Sequence, residues 1–374
     1  MIYFDNSATT KTRKEVAEFV AKYSVENFCN PSALYAPAIK VKLDLDNARK
    51  TMLSLLGASK DAHIVFTGSA TEANNLMLTG LARKNKKILV SSGEHPSIYE
   101  PAKNLINQGY NVEFINITKD GLLDLEDLKQ KLDSTVGLVS FIHVSNEVGA
   151  INKIGEISKL IKSIVPDCLV HCDGVQAFGK VKLNLRADNI DLYTVSSHKI
   201  HGPKGVACLY YKNGINLKPQ ILGGGQESGI RSGTENPAGI LGFVLAGVMM
   251  YQDFGAKRER INGLRAYFLQ ELEKTDLEYT VNSTPNTLSN ICSISFKGVR
   301  GEVLLHCLEK YEIYVSTGSA CSSKSVGNRV LTAMGQSSNL MQGNIRFSFS
   351  EFNTMTEIDL VVQALQKEIP LIKH

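Results

Sequence analysis

CLVHCDGVQAFGK, residues 168–180, begins as a strand with an apolar interior and closes on an acid and a glycine turn, Asp173–Gly174. Working outward, HIVFT (63–67), KKILVSS (86–92), NVEFINI (111–117), VGLVSFIHV (136–144), DLYTVSS (191–197) and VACLYY (206–211) read as further strands. Several are apolar on both faces, which suits a sheet that helices cover on both sides. Helical stretches such as TEANNLMLTGLARKN and IGEISKLIKSIV fall between them. This rhythm predicts an α/β fold with a mostly parallel seven-stranded sheet covered by helices. Beyond about residue 250 the texture changes to a long charged helix, the strands NICSISFKG and GNIRFSFS, and a final helix. That pattern predicts a smaller α+β C-terminal domain, joined by the N-terminal strand IYFD. The division expected is 13–250 for the large domain, and 1–12 with 251–374 for the small one.

The 374 residues are 43% hydrophobic and 21% charged, with a formal net charge of +4. These are the proportions of an ordinary soluble globular protein, and so small a charge is no footprint for nucleic acid or an anionic membrane. The N-terminus MIYFDNSATTKTRKEV has no apolar signal region. The longest apolar run, AGILGFVLAGVMMY at 238–251, is too short for a bilayer span and reads as a buried core helix. Seven irregularly spaced cysteines suggest free thiols in a reducing cytoplasm, so a cytoplasmic protein is expected.

Ligands in open α/β sheets bind at strand ends and the turns that follow them. In TGSATEANN, Ser69 and Glu72 have capping-box spacing at a helix start, and the amides of Ala70 and Thr71 would then be free donors suited to a phosphate. The same pattern also describes an ordinary capped surface helix. Asp173, buried at a strand end, needs a cationic or hydrogen-bonding partner, or else is a helix N-cap. In SSHKIHGPKG, residues 196–205, His198 and His201 are three apart but have no accompanying carboxylate or thiol pair, and HGPKG is a turn signal. Cys168, His171 and Cys172 likewise lack the second pair of a zinc site, so no metal site is expected. Lys199 follows one strand and Asp173 ends another. A lysine in a desolvated site can act as an amine nucleophile, and a lysine with an acid for a pyridinium nitrogen is the pairing that pyridoxal phosphate requires.

Ten ordered stretches between residues 3 and 350 together resemble the class V aminotransferase superfamily. They are YFDNSATT, NPS, TGSATEANN, GEHPS, SNEVG, CDGVQAFGK, SSHKIHGPKG, GGGQESGIRSGTEN, STGSACSS and IRFSFS. The S-x-G-S-A-C loop narrows the resemblance to the cysteine desulfurases. The resemblance implies the fold type I of pyridoxal-phosphate-dependent transferases, with 13–250 binding the cofactor and the small domain carrying the cysteine loop. It implies a homodimer that converts L-cysteine to L-alanine, leaves a persulfide on Cys321 and passes it to a sulfur-acceptor protein. Iron–sulfur scaffolds, tRNA-thiolation enzymes and thiamine-pathway proteins are the acceptor classes, with no direct contact to nucleic acid or membrane.

By the same resemblance Lys199 carries the cofactor, Asp173 pairs with its ring nitrogen, Gln176 bonds its phenolic oxygen, and His95 stacks on the ring and moves protons. Ala70, Thr71, Ser196 and His198 would bind the phosphate, and Thr234 would reach the neighbouring subunit's phosphate. Asn146 would lie near ring and substrate, and Arg346 would hold the substrate carboxylate as a bidentate pair. Cys321 lies in a run of small polar residues, STGSACSSKSVGN, which reads as mobile and exposed, with Lys324 nearby to favour thiolate. Cys168, Cys172, Cys208, Cys292 and Cys307 read as small core residues, and Cys29 is ambiguous.

The family commonly has Arg where Ser228 stands, His where Tyr35 stands and Asn where Ser145 stands. These departures are expected around the substrate end. The alternatives are another class V enzyme, a selenocysteine lyase or aminotransferase, and a non-catalytic sulfur-transfer partner.

Overall fold

The structure, a computed structural model, describes residues 1–284, 286–317 and 329–373. Its strands in chain order are β1 (Ile2–Tyr3), β2 (His63–Thr67), β3 (Lys87–Ser91), β4 (Val112–Ile115), β5 (Val136–Ile142), β6 (Leu169–Asp173), β7 (Leu192–Ser196), β8 (Ala207–Tyr211), β9 (Tyr279–Val281), β10 (Ile291–Phe296), β11 (Ile313–Tyr314) and β12 (Asn344–Ser348). The first four helices are α1 (Lys14–Glu26), α2 (Ala36–Leu55), α3 (Ala70–Leu81) and α4 (Pro96–Asn107).

All seven strands expected of the large sheet are present, in the order β2-β8-β7-β6-β5-β3-β4. The five from β4 to β7 are mutually parallel, whereas β8 runs antiparallel to both β7 and β2. Most are shorter than the apolar runs suggested, for a local reason. The run 191–197 ends at Ser196 because Ser197–Lys199 coil into a single 3₁₀ turn. The run 136–144 ends at Ile142 because the His143 amide bonds the Asp173 carbonyl and Val144 bridges to Ile151.

Helices cover both faces. Met52 of α2, Phe178 and Phe243 pack on one side, and Met77 of α3 and Ile98 of α4 on the other. Each such side chain contributes about 1.5–3 kcal/mol by leaving water. The helix Pro237–Tyr251 is the buried element its sequence predicts, with Ile240, Phe243 and Ala246 among its buried residues. Among the described residues no single helix is long and apolar enough to cross a bilayer.

A second, antiparallel sheet, β12-β10-β9, packs a separate core of Phe268, Phe296, Phe347 and Phe349 under the helices Phe254–Glu273 and Met355–Ile372. Phe4 belongs to this core, and β1 pairs in parallel with β11. The chain then crosses to the large sheet. The Asn6 amide side chain donates to the Ser348 carbonyl at 2.9 Å, and the Thr10 and Arg13 amides donate to the carbonyls of His198 and His201. Residues 5–13 thus stitch the small sheet to the turn after β7.

Candidate active site

The carboxyl ends of β5, β6 and β7 meet along one edge of the sheet. Asp173 ends β6 and is 2% exposed. The following residue must be glycine, since a Cβ on Gly174 would lie 2.0 Å from the Tyr193 ring. Asp173 accepts from the Val175 amide at 3.0 Å and from Asn74 Nδ2 at 2.9 Å. Both donors are neutral, so burial dominates and pushes the carboxyl above its ordinary range, with the Lys199 charge pulling it back.

Lys199 sits at the end of the 3₁₀ turn. That turn packs so closely on Gly202 that a Cβ there would meet Ser197 Oγ at 2.2 Å. His201 then takes φ 62°, in the left-handed region, with its ring nitrogen Nδ1 against the Lys11 carbonyl at 2.9 Å. The Lys199 ammonium donates to the carbonyls of Ser7 (2.6 Å) and Ala8 (2.8 Å). Its charge reaches Asp173, His95, Asp5 and His198 at once.

His95 is the N-cap of α4. Its Nδ1 accepts the Ser97 amide at 3.1 Å and lies 2.8 Å from Ser97 Oγ. Burial, with the charges of Lys199 and Arg329, pushes the imidazole down to about 4, so it is neutral near pH 7. His95 thus caps α4 and stands beside Lys199 at once.

At the start of α3, Ser69 Oγ accepts the Glu72 amide at 3.1 Å. The Glu72 carboxylate does not return to the Ser69 amide as a full capping box would. It accepts from the Gly68 amide at 2.8 Å and is drawn out by Arg231, whose Nε donates at 2.7 Å. Helix geometry leaves the amides of Ala70 and Thr71 without intrahelical acceptors. Asn74, four residues on from Ala70 and on the same face, touches Asp173, which sets this helix start beside the strand ends. Ser196 is buried at the end of β7, and His198 Nδ1 lies 3.2 Å from Thr9 Oγ1. His198 is also pushed down to about 4, chiefly by burial and then by Lys199.

Gln176 donates from Nε2 to the Ser7 carbonyl at 2.9 Å, and its Oε1 accepts from Lys180 Nζ at 3.0 Å. Arg346, on β12, donates to Asp5 Oδ1 at 2.9 Å and to the Asn146 carbonyl at 2.8 Å. The structure thus ties Lys199, Gln176, His198 and Arg346, with Asn146 on Arg346, to the segment 5–10, and sets Asp173 and His95 within the field of Lys199. Thr234 is exposed on the loop before the helix Pro237–Tyr251. Cys321 and Lys324 lie outside the described residues. Among those described, Cys168, Cys172, Cys208, Cys292 and Cys307 are buried, and burial raises each thiol above its ordinary range.

The arrangement offers an anion cradle, an amine, a carboxylate awaiting a cation, a neutral imidazole and a buried guanidinium. The class-V aminotransferase profile matches residues 2–361. The chain belongs to the class-V aminotransferase family.

A cysteine desulfurase IscS of Dictyoglomus turgidum is 35% identical over 100% of this chain and 95% of its own. A cysteine desulfurase IscS 1 of Archaeoglobus fulgidus is 36% identical over 98% of this chain and 96% of its own. The solved structure of a NifS-like protein superposes with a TM-score of 0.93 at 32% identity, covering 99% of both chains. The mostly parallel, helix-covered sheet is that of the type I pyridoxal-phosphate enzymes.

The three departures from the class-V pattern lie in different settings. Ser145 does adjoin Asn146, buried, with its hydroxyl within 3.4 Å of the Glu147 and Val148 amides. Tyr35 and Ser228, by contrast, are exposed in this chain, Tyr35 as the cap of α2 and Ser228 at φ 56°. Sequence reasoning also passed over Asn74, Ser97, Asp5 and Lys180. All four fall inside quoted motifs without a role, Lys180 at the end of CDGVQAFGK. For Asn74 the i, i+4 spacing from Ala70 was the available signal. Burial brings the Lys180 ammonium down to about 7, with Lys199 and Arg346 adding repulsion.

Proposed function

We propose that the protein is a pyridoxal-phosphate-dependent cysteine desulfurase. The observation that carries this reading is the Lys199 amine set beside a buried carboxylate with only neutral hydrogen-bond donors, Asp173, and a neutral imidazole, His95. The residues fit the cofactor part by part. The α3 amides of Ala70 and Thr71, with Ser196 and His198, suit a phosphate at a helix start. Asp173 suits a protonated ring nitrogen, whose charge would offset the cost of its burial. The second N–H of Gln176 suits the phenolic oxygen, and the imidazole of His95 suits the ring face. Asn146 lies beside the guanidinium of Arg346, which suits a substrate carboxylate.

Bound there, the cofactor supplies an aldehyde for amines and an electron sink for charge released at the substrate α-carbon. Lys199 would hold the cofactor and its amine, when free, would be the base at that carbon, while His95 would be a hydrogen-bond donor beside it. Cys321 takes up the sulfur. In sum, L-cysteine and the Cys321 thiol give L-alanine and a Cys321 persulfide, with one sulfur atom moved and no external oxidant. The persulfide passes to an acceptor protein. The raised thiols of the five buried cysteines support assigning the transfer to Cys321, since the thiolate is the nucleophile.

A homodimer accompanies this reading, with Thr234 reaching the partner's phosphate. Phe28 is 80% exposed, Leu34 92% and Leu222 80%, and Ile39 and Leu43 of α2 are exposed as well. Large apolar side chains left in water suit cover by a second copy of the chain. Residues 13–250 form the cofactor-binding domain, and 1–12 with 251–374 the small one.

The test is incubation with L-cysteine. Alanine should accumulate, intact mass should rise by one sulfur atom mapped to Cys321, and Cys321→Ala should abolish both. Equal alanine from Cys321→Ala without added thiol would overturn the sulfur-carrier role and return the chain to other class-V chemistry.

A further inference from the structure

A buried line of side chains joins the two groups that flank Lys199. Asn74, wholly buried, donates from Nδ2 to Asp173 Oδ2 at 2.9 Å and to Ser97 Oγ at 2.8 Å. Ser97 Oγ lies 2.8 Å from His95 Nδ1, and the Ser97 amide donates to that same nitrogen at 3.1 Å. Hydrogen counting fixes every direction. An amide nitrogen only donates, so Ser97 Oγ receives a hydrogen from Asn74 and has its own to give. Turning the Asn74 amide over would set its oxygen against the Asp173 carboxylate. The Ser97 backbone N–H is also an obligate donor, so His95 Nδ1 faces two donors and has no place for a proton.

We propose that Asn74 and Ser97 are positioning residues that hold His95 as the neutral tautomer protonated at Nε2 and tie that state to the ionised Asp173. Asn74 Oδ1 has no hydrogen-bond partner among the described residues. The amide is thus held by its two N–H bonds, in line with an aligning role. The groups facing His95 agree. Lys199 from the turn after β7 and Arg329 from the helix Arg329–Ala333 both disfavour a second ring proton, and His198, itself pushed down to about 4, brings no charge near pH 7. Its chain neighbour Glu94 is buried, and burial with the nearby Asp173 pushes that carboxyl well above its ordinary range, which weakens it as a compensating anion. The consequence for the proposed reaction, on which this part rests, is a division of labour. His95 Nδ1 is closed as a base, Nε2–H is a donor, and proton uptake at the α-carbon belongs to Lys199.

The tautomer can be read without turnover. Full-length protein labelled with ¹⁵N-histidine carries eight histidines, and His95→Gln assigns the His95 signals. The expected spectrum is the Nε2–H tautomer from about pH 5 to 8. Ser97→Ala should raise the Nδ1–H fraction several-fold and move the His95 titration upward, because protonating Nδ1 then forfeits one donor fewer. Ser97→Thr, which keeps the hydroxyl, should restore the native spectrum, and Asn74→Leu should resemble Ser97→Ala. A native Nδ1–H tautomer at the signals that His95→Gln removes would overturn the proposal. So would identical His95 signals in native, Ser97→Ala and Ser97→Thr proteins. A failed desulfurase assay would leave these signals as they are, so the two readings fail separately.

Discussion

Asp173 and Arg346 are both buried ions near one site, 2% and 3% exposed, yet they are accommodated in opposite ways. Asp173 meets only neutral donors, Val175 N–H and Asn74, and its carboxyl is raised. Arg346 already holds a carboxylate, Asp5, and a carbonyl, Asn146. Burying a charge is costly until an opposite charge and hydrogen bonds offset it. The Asp173 end is therefore built with its hydrogen bonds complete but no cation bonded to it, Lys199 acting only through its field, and is ready for a cation. The Arg346 end is balanced within the protein, so an incoming carboxylate must share or displace Asp5. One end is preformed for the cofactor. The other must rearrange for the substrate.

The largest expected effect probes the Asp173 carboxylate. Asp173→Ala should lower alanine production by about 10³-fold, the scale of losing a preorganised electrostatic partner. Activity near the native rate would break the contrast at its strong end. Arg346→Lys keeps the charge but loses the planar fork, and should raise KM for L-cysteine by about 10- to 100-fold, from a charged hydrogen bond worth about 1.5–3 kcal/mol. Unchanged steady-state KM would mean the carboxylate binds elsewhere. Asp5→Asn should act in the opposite sense, lowering KM several-fold while lowering the melting temperature, since Arg346 is then less compensated. A rise in KM would show that Asp5 orients Arg346 instead of competing for it.

Acid should injure the Asp173 end first. His171, two residues before Asp173 on β6, is pushed down to about 3, and His143, whose amide bonds the Asp173 carbonyl, to about 4, both by burial. Their folded values lie below the unfolded value near 6.5, so the unfolded chain binds more protons between the two. The stability they contribute is complete above about pH 6.5 and is lost as pH falls toward 4 for His143 and toward 3 for His171, on the order of 3 and 5 kcal/mol. Urea midpoints across that window would check the slope, and His171→Asn should flatten it. The smallest effect belongs to Lys204, exposed beyond the turn. Lys204→Ala should keep both the absorbance band near roughly 400 nm of the bound cofactor and the native stability within about 0.5 kcal/mol, where Lys199→Ala should lose the band.

Much of the fold is legible in the chain because its strands are marked by their own composition. All seven large-sheet strands appear as apolar runs, and only their ends are misjudged, since polar turn chemistry such as Ser197–Lys199 competes there with the ladder. The site was partly legible for a related reason. Lys199, Asp173 and His95 are unusual in their local settings, a lysine after an apolar strand, an acid closing one, a histidine before a proline. Asn74 and Ser97 look like ordinary polar residues at a helix start. Nothing local says that they share a hydrogen-bond line with a residue about a hundred positions away. Asp5 is likewise an unremarked acid until it meets Arg346, 341 positions on.

The sequence by itself determined the α/β architecture, the family and the identity of the reactive groups, because those depend on local pattern and on side-chain chemistry. Only the tertiary structure decided which ions are answered and which are left waiting, and which ring nitrogen of His95 keeps its proton. Those are properties of burial and of hydrogen bonds between segments far apart in the chain, and no local stretch encodes them.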